Sequence, residues 1–539
     1  MTQAMFFFAL VVLACVAAGR LSGRLGVPAL LLFLLLGMLC GVDGPLGLAF
    51  DDFVLSEQIC SAALAFIMFY GGFGTRWEAA RPVALQAVLL STVGVVVTAL
   101  LTAGFCHLVL GLSLAESLLT GAVISSTDAA SVFSILRAKR LGLKENTASL
   151  LELESGSNDP CSYLITVTAL YFLGVGGESG LWIVVLRQVL FGLLLGAAVA
   201  AGAIFLLRRL DFSESGMDIL FVFAAALLAY SLPALAGGNG YLGAYLAGLW
   251  MGNSAIPRKA ALVHFFDGIT GLAQMILFFL LGLLATPSQI PAALPMALGV
   301  AGFLTFVARP VAVFLLMKPL GRSTRQCLLV SWAGLRGAAS IVFAVMAVGR
   351  GAAMGHDLFH VVFCVCLFSV ALQGSLLPRV AERLEMTDSE ESLRRTFNDY
   401  QGENLLHLTQ FRIGEGHPWQ EKRLADCPLP TDTLVVMIRR GQEQVIPGGD
   451  TLLREGDLLV VSTPLYEEKE RGVPLREIPV EQGSPWARRR VRELELPEVG
   501  LIVLLRRLDG SAVVPKGDTE IRVGDTMVVT DREEIKASL

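Results

Sequence analysis

Long apolar runs alternate with short polar loops over the first 380 or so residues. A membrane-spanning helix needs about 20 mostly apolar residues. Runs that meet or approach this length begin and end near 4–19, 25–40, 57–73, 83–110, 114–136, 150–173, 181–208, 217–233, 238–253, 262–285, 291–317, 325–348 and 356–378. The pattern predicts an all-α polytopic membrane domain of thirteen helices.

Lys and Arg residues occur in alternate loops between these runs. The intervening loops are poor in both, and two of them are acidic. Because cytoplasmic loops carry the excess of basic residues, the N-terminus is expected on the outer side and the C-terminal tail in the cytoplasm. Termini on opposite sides of the membrane require an odd number of spans, and thirteen is odd. The basic residues are Arg20, Arg24, Arg76, Arg81, Arg137, Lys139, Arg140, Lys144, Arg208, Arg209, Arg258, Lys259, Lys318, Arg322, Arg325, Arg379 and Arg383.

Composition agrees with a membrane domain followed by a polar tail. The chain is 54% hydrophobic and 17% charged, whereas soluble domains carry about 25% charged residues. Charge density rises after Arg379, which predicts a transmembrane domain over 1–379 and a charged linker over 380–405. The net charge of −5 gives no reason to expect a nucleic-acid partner.

Two of the runs carry small and polar residues at their centres. The fifth contains Ser125-Ser126-Thr127-Asp128, and the twelfth contains Gly334-Leu335-Arg336-Gly337. They lie seven runs apart, and interrupted helices at matching positions of two halves indicate a transporter with inverted repeats. Alternatively these residues form small-residue packing faces, which would leave Asp128 and Arg336 unexplained.

The sixth run is the most polar, with Glu154-Ser155-Gly156-Ser157-Asn158-Asp159-Pro160. Ionisable residues inside a bilayer cost several kcal/mol and indicate a functional site. Arg336 stays protonated at any working pH and, if buried, needs a carboxylate partner. Glu154 is the predicted partner, in a structural ion pair.

Asp159 would then be left to gain and lose a proton. When ionised, it is a hard oxygen ligand for a small monovalent cation, and the hydroxyls of Thr127 and Ser155 could complete the site. Proton and cation would compete for one carboxylate, and such competition produces exchange. The alternative is that Asp159 is itself paired with a buried base.

With these segments the first 380 or so residues resemble the monovalent cation/proton antiporters, most closely the bacterial NhaP-type Na⁺(K⁺)/H⁺ exchangers. The matching segments are Ser126-Thr127-Asp128, Glu154-Ser155-Gly156-x-Asn158-Asp159-Pro160, Phe278-Phe279-Leu-Leu-Gly282 and Gly334-Leu335-Arg336-Gly337. The chain departs from many relatives at Ala129 and Ala130, where they have proline.

The resemblance implies a homodimer in which a core domain moves like an elevator against a dimerisation domain. It implies that Asp159 carries the ion and the proton, that Asn158, Thr127 and Asp128 belong to the same site, and that Glu154 and Arg336 form an ion pair. An Asn-Asp pair in this family is associated with electroneutral one-for-one exchange.

The tail contains an internal repeat with an offset of 67 and then 68 residues. Arg439-Arg440 aligns with Arg506-Arg507, and Gly456-Asp457 aligns with Gly524-Asp525. Each unit has β-rich runs separated by Gly-Asp turns. The repeat resembles two tandem TrkA-C (RCK C-terminal) modules, over 406–468 and 469–539, and so predicts an α+β region that binds a small regulatory ligand such as a nucleotide or cyclic dinucleotide. The arginine pairs either protect edge strands or hold an anion.

The predicted function is cation/proton antiport in the bacterial inner membrane, serving pH homeostasis, with K⁺ favoured by the tail and Na⁺ left open. A regulated K⁺ channel is the alternative from another class. The selectivity filter of such a channel would need a T-V-G-Y-G-like loop. The nearest match, residues 237–243, lacks the Thr-Val half and lies at the start of a predicted helix. With no nucleophile–base arrangement or metal motif, neither an enzyme nor a cofactor is predicted.

Overall fold

The computed structural model describes the chain except residues 1, 26–27, 76, 139–140, 176–179, 210–215, 257, 389–405, 415–416, 430–433, 442, 446, 465–474, 483, 495–498, 508–511, 514 and 532–539. It forms two compact units, Met1–Gly402 and Glu403–Leu539. Most of the predicted linker over 380–405 lies outside the described residues.

Each of the thirteen predicted runs coincides with a helical segment of the first unit. These are α1 Thr2–Leu25, α2 Ala29–Cys40, α3 Phe53–Gly74, α4 Arg81–Leu108, α5a Leu114–Val123 with α5b Ala129–Ala138, α6 Thr147–Phe172, α7 Leu181–Arg209, α8 Met217–Leu235, α9 Gly240–Gly252, α10 Lys259–Leu284, α11 Pro287–Met317, α12a Thr324–Trp332 with α12b Ala338–Gly349, and α13 Leu358–Arg383. Among the described helices, eight are long and apolar enough to cross a membrane by length and composition, and α2, α5a and α12b are shorter apolar helices. The predicted polytopic helical fold is confirmed.

The helices of this unit pack as two bundles. We call α1–α3 and α7–α10 the panel bundle, and α4–α6 with α11–α13 the crossover bundle, because the helices make their main contacts within their own group, except α12b, which also packs extensively on α3. The crossover bundle consists of two three-helix sets, α4–α6 and α11–α13, and the middle helix of each set is interrupted. The first helix of each set also contains a π-helical turn, at Leu90–Gly94 and Leu304–Ala308.

Glycines allow close helix contacts inside the panel bundle. A side chain at Gly248 would overlap the Phe69 carbonyl of α3, and one at Gly282 would overlap the Leu34 carbonyl of α2. Apolar burial does not favour helix association in lipid, so close backbone packing supplies much of the attraction. The Phe278–Gly282 segment noted in the sequence thus packs the panel bundle.

The second unit contains two four-stranded antiparallel sheets of the same topology. The first has the order β3-β6-β4-β5 and the second β7-β10-β8-β9. The strands are β3 Leu406–Arg412, β4 Leu434–Arg440, β5 Glu443–Val445, β6 Leu458–Pro464, β7 Leu475–Pro479, β8 Val499–Arg506, β9 Ala512–Val513 and β10 Thr526–Asp531. A short pair in the membrane unit, β1 Gly142–Leu143 with β2 Thr387–Asp388, joins the segments after α5b and α13.

The repeated residues occupy equivalent structural positions in the two modules. Arg440 binds the buried carboxylate of Asp457 through two bonds of 2.9 and 2.8 Å. Arg507 binds Asp525 at 2.5 Å. The second arginine of each pair therefore anchors the Gly-Asp turn, a role that the two interpretations from sequence had not included.

Candidate functional site

The two interrupted helices are joined to each other where their backbones leave the helical conformation. α5 is not helical between Val123 and Ala129, and neither is α12 between Trp332 and Ala338. The Asp128 N–H donates to the Leu335 carbonyl at 2.8 Å, a backbone bond between the two breaks. The predicted interruptions are therefore in contact and form one site.

Arg336 lies at the C-terminal end of the first half-helix, α5a. Its guanidinium donates to the carbonyls of Ser125 and Ser126 at 2.7 and 2.6 Å, and its side chain is fully buried. Carbonyls at a helix C-terminus lack helical partners and carry partial negative charge. Arg336 thus neutralises a helix end that the break has exposed.

Asp128 has the complementary role at helix N-termini. Its carboxylate accepts from the Ser131 hydroxyl at 2.5 Å and from the Ser131 N–H at 3.3 Å, at the start of α5b. It also lies against Gly337, immediately before α12b, where any β-carbon would overlap the carboxylate. A negative charge is stabilised at both of these positive helix ends.

Glu154 is paired with Arg309, not with Arg336 as the sequence had indicated. The Arg309 Nη2 atom lies 2.6 Å from Glu154 Oε1, with both side chains buried. A β-carbon at Gly334 would come within 2.7 Å of the Arg309 Nε, so this glycine leaves room for the arginine beside the break in α12. The contact of Glu154 in this structure is thus with Arg309, whereas Arg336 donates from Nη1 to two backbone carbonyls and lies near enough to Glu154 to interact with its charge.

Sequence reasoning missed the contribution of Arg309. We call the charged residues beside the two helix breaks the crossover layer; they are Asp128, Glu154, Asp159, Arg309 and Arg336. The available signal was a single basic residue in the middle of the apolar run that became α11. Isolated bases inside a span are costly and nearly always have a partner.

Asp159 lies five residues after Glu154 on α6 and is 5% exposed. The Ser126 hydroxyl and the negative charge of Asp128 are its polar neighbours. Within the described residues, its Oδ1 atom has no hydrogen-bond partner, and no Lys, Arg or His forms an ion pair with it. The structure therefore places Asp159 in the crossover layer without the buried base that the alternative interpretation required.

The remaining predicted site residues connect α6 to the break in α5. Ser155 donates its hydroxyl hydrogen to the Thr127 carbonyl at 2.7 Å, and Asn158 donates from Nδ2 to the Thr127 hydroxyl at 2.5 Å. Asn158 Oδ1, like Asp159 Oδ1, is buried without a hydrogen-bond partner in the described part of the chain. Two adjacent residues thus present free oxygens, which are the ligands preferred by hard cations.

The fold and the site together define a membrane carrier, with paired broken helices and a buried carboxylate at their crossing. The Sodium/hydrogen exchanger, transmembrane family model matches residues 9–383, and the TrkA-C domain model matches residues 408–465 and 475–537. The chain belongs to the sodium/hydrogen exchanger family of monovalent cation/proton antiporters, and its tail contains two TrkA-C domains.

Similar proteins cover most of the chain. A K(+)/H(+) antiporter NhaP from Alkalimonas amylolytica is 33% identical over 83% of this chain and 79% of its own length. A K(+)/H(+) antiporter NhaP2 from Shewanella baltica (strain OS223) is 34% identical over 84% of this chain and 79% of its own length. The sodium proton antiporter MjNhaP1 from Methanocaldococcus jannaschii has a similar fold, with a TM-score of 0.63 and 24% identity over 71% of this chain and 99% of its own.

Proposed function

We propose that this protein exchanges K⁺ for H⁺ at Asp159. The observation that supports the proposal most directly is a buried carboxylate with a free oxygen and no basic partner among the described residues. The relatives that are 33 and 34% identical are named K(+)/H(+) antiporters, which favours K⁺ over Na⁺. A Na(+)/H(+) antiporter from Aphanothece halophytica is 28% identical over 66% of this chain and 70% of its own length, so Na⁺ is the alternative ion.

Competition for one carboxylate accounts for the coupling. Protonated Asp159 is neutral and has little affinity for a cation, whereas ionised Asp159 attracts one. The other charges of the layer are Glu154, Arg309, Arg336 and Asp128, and each is matched by a counter-charge or a helix end. Asp159 would then carry either one proton or one cation, which corresponds to electroneutral one-for-one exchange.

Alternating access would follow from movement of the crossover bundle against the panel bundle. Asp159 belongs to α6 of the crossover bundle, so an elevator-like displacement of that bundle would carry the bound ion across the membrane. We propose that the protein works as a homodimer in the bacterial inner membrane, with the N-terminus outside and the two TrkA-C domains in the cytoplasm. Its role is pH homeostasis by transport, with no enzymatic activity and no cofactor.

The two TrkA-C domains would control the rate of exchange through a small ligand. A nucleotide or cyclic dinucleotide is the proposed class, and residues 1–379 would perform the exchange itself. Truncation after 395 tests this division of roles. It should leave exchange intact and change its response to pH or to ligand, and loss of all exchange in a well-folded truncation would contradict a regulatory tail.

The ion is tested in everted vesicles that carry an acidic interior and a pH-sensitive dye. Adding K⁺ and Na⁺ in turn should give strong dequenching with K⁺ and little with Na⁺, and vesicles with the Asp159→Asn variant should give none with either. Equal responses to both ions would contradict K⁺ selectivity. A response that changes with an imposed membrane potential would contradict electroneutral exchange.

A further inference from the structure

Five polar and aromatic side chains form a cluster between the two bundles, separate from the crossover layer. They are Glu57 of α3, Tyr163 of α6, Tyr230 of α8, Tyr241 of α9 and Arg350 at the end of α12b. By the loop charges, the start of α3 and the end of α12b both lie toward the outer face. The cluster thus lies in the outer half of the protein and joins helices from both bundles.

An ion pair forms the outermost part of the cluster. Arg350 of the crossover bundle contacts Glu57 of the panel bundle, with Nη2 at 3.0 Å and Nε at 3.1 Å from Glu57 Oε1. The side chains are 40% and 18% exposed, so water reaches the pair. The Tyr163 hydroxyl lies near the Arg350 guanidinium and interacts with it.

Aromatic rings in edge-to-face and tilted contact continue the cluster. The ring centroids of Tyr163 and Tyr241 lie 5.0 Å apart, and those of Tyr241 and Tyr230 lie 5.1 Å apart. Phe343 of α12b packs against Tyr163 at 5.8 Å and against Tyr241 at 6.0 Å. The rings thus lie at the contact between α6, α9 and α12b.

Asp159 lies about one helical turn from Tyr163, toward the start of α6. Tyr163 follows it by four residues on α6, so the two side chains share one face of the helix. Two other contacts between α6 and α9 involve no charged side chain. Gly156 faces the Tyr245 ring, where a β-carbon would be 2.5 Å from the ring, and the Pro160 carbonyl accepts one bond from Asn239 at 2.8 Å.

We propose that this cluster is the outer gate of the carrier, which closes Asp159 to the outer solution. The inference rests on the proposed exchange function and adds the residues that control access. Its chemistry suits a contact that must break and reform in each cycle. Water can solvate an ion pair and hydroxyls when they separate, and an exposed pair contributes little to stability. The glycine contacts inside the panel bundle bury backbone against backbone and lack that property.

The test measures apparent affinity from each face. Glu57→Gln, Arg350→Gln and Tyr163→Phe are compared with wild type in right-side-out and everted vesicles. A weakened outer gate favours the outward-open state, so KM for the outer cation should fall and KM for the inner cation should rise, each by about two- to fivefold. A change of KM in opposite directions on the two faces cannot come from partial loss of folded protein.

Two further variants serve as controls. Arg325→Gln removes an ion pair with Glu385 that is exposed on both sides, and it should leave both KM values unchanged. The double exchange of Glu57→Arg with Arg350→Glu should return both KM values toward wild type.

The possible results of these measurements test the proposed gate and the proposed exchange function separately. Unchanged KM values on both faces, in variants that still exchange, would overturn the gate and leave the exchange function standing. Shifts of the opposite sign would place the cluster at the cytoplasmic face and overturn its assignment to the outer side. If wild type shows no exchange with either ion, the proposed function itself fails.

Discussion

Glu154 and Asp159 lie five residues apart on the same helix, and the protein treats the two carboxylates differently. Glu154 is fully buried and held by Arg309 at 2.6 Å. Asp159 is nearly as buried, yet within the described residues no base is bonded to it. Both carboxylates are buried, so burial does not distinguish them. A bonded basic partner distinguishes the structural carboxylate from the one that can change its charge.

The comparison extends to the helix ends around Asp159. The two breaks place a positive side chain at the end of α5a and a negative one at the starts of α5b and α12b. Each of these fixed charges has a counter-charge or a helix end beside it. In such surroundings the carboxylate of Asp159 can alternate between binding a proton and binding a cation. A buried carboxylate held by an arginine, as Glu154 is held by Arg309, also occurs in both TrkA-C domains, where the carboxylate is an aspartate.

The first prediction removes the charge of Asp159 and that of Glu154 in parallel. Asp159→Asn should lower exchange at least a hundredfold or so and leave thermal stability near that of wild type, since it strands no buried charge. Glu154→Gln should lower stability, because Arg309 loses its counter-charge. Dequenching in vesicles and thermal unfolding in detergent measure the two effects. Exchange by Asp159→Asn at the wild-type rate would contradict its role as carrier.

The second prediction compares the two buried arginines. Arg309→Gln leaves Glu154 buried without a partner and should cost about 3–5 kcal/mol. Arg336→Gln removes two charge-assisted bonds to carbonyls and strands no carboxylate, so it should cost less, about 1.5–3 kcal/mol. Unfolding in detergent measures both. An equal or larger loss for Arg336→Gln would mean that Glu154 depends on Arg336 after all.

The sequence was sufficient for much of this picture, because its signals are local. Thirteen apolar runs, two breaks with small residues, and a repeat with matched Arg and Asp positions all correspond to elements of the structure. The partner of Arg336 was not predictable by the same reasoning. Helix-end carbonyls acquire their charge only when the chain unwinds at Ser125 and Ser126, and the Glu154–Arg309 contact depends on how α6 and α11 pack.

The third prediction concerns the paired aspartate in the first TrkA-C domain. Although burial opposes ionisation of Asp457, the bonds from Arg440 and the Arg454 N–H outweigh it and hold the pKa of the carboxyl below its usual value. A lowered folded-state pKa adds stability that is present above about pH 4 and is lost as the pH falls through the folded pKa. The protection of the β6 amides, measured as their exchange rate relative to the intrinsic rate at each pH, should therefore fall in acid.

Arg440→Gln should accelerate exchange in β6 already at neutral pH, by removing about 1.5–3 kcal/mol of charge-assisted bonding. Arg439→Gln, at the exposed neighbouring position, is the matched control and should change little. The second domain, with Arg507 and Asp525 intact, provides an internal reference. Equal effects of the two substitutions would mean that the pair does not anchor the Gly-Asp turn.

The smallest effect is expected where both partners are exposed to water. Arg325 and Glu385 form an ion pair at 2.5 Å, with side chains 60% and 68% exposed. Water screens such a pair, so Arg325→Gln should change the free energy of unfolding by less than about 0.5 kcal/mol, which is at least about sixfold less than the cost of Arg309→Gln. Both variants exchange arginine for glutamine at an arginine–glutamate pair, so burial is the main difference between them. A cost of several kcal/mol at Arg325 would show that pairing alone, without burial, determines which carboxylates are structural.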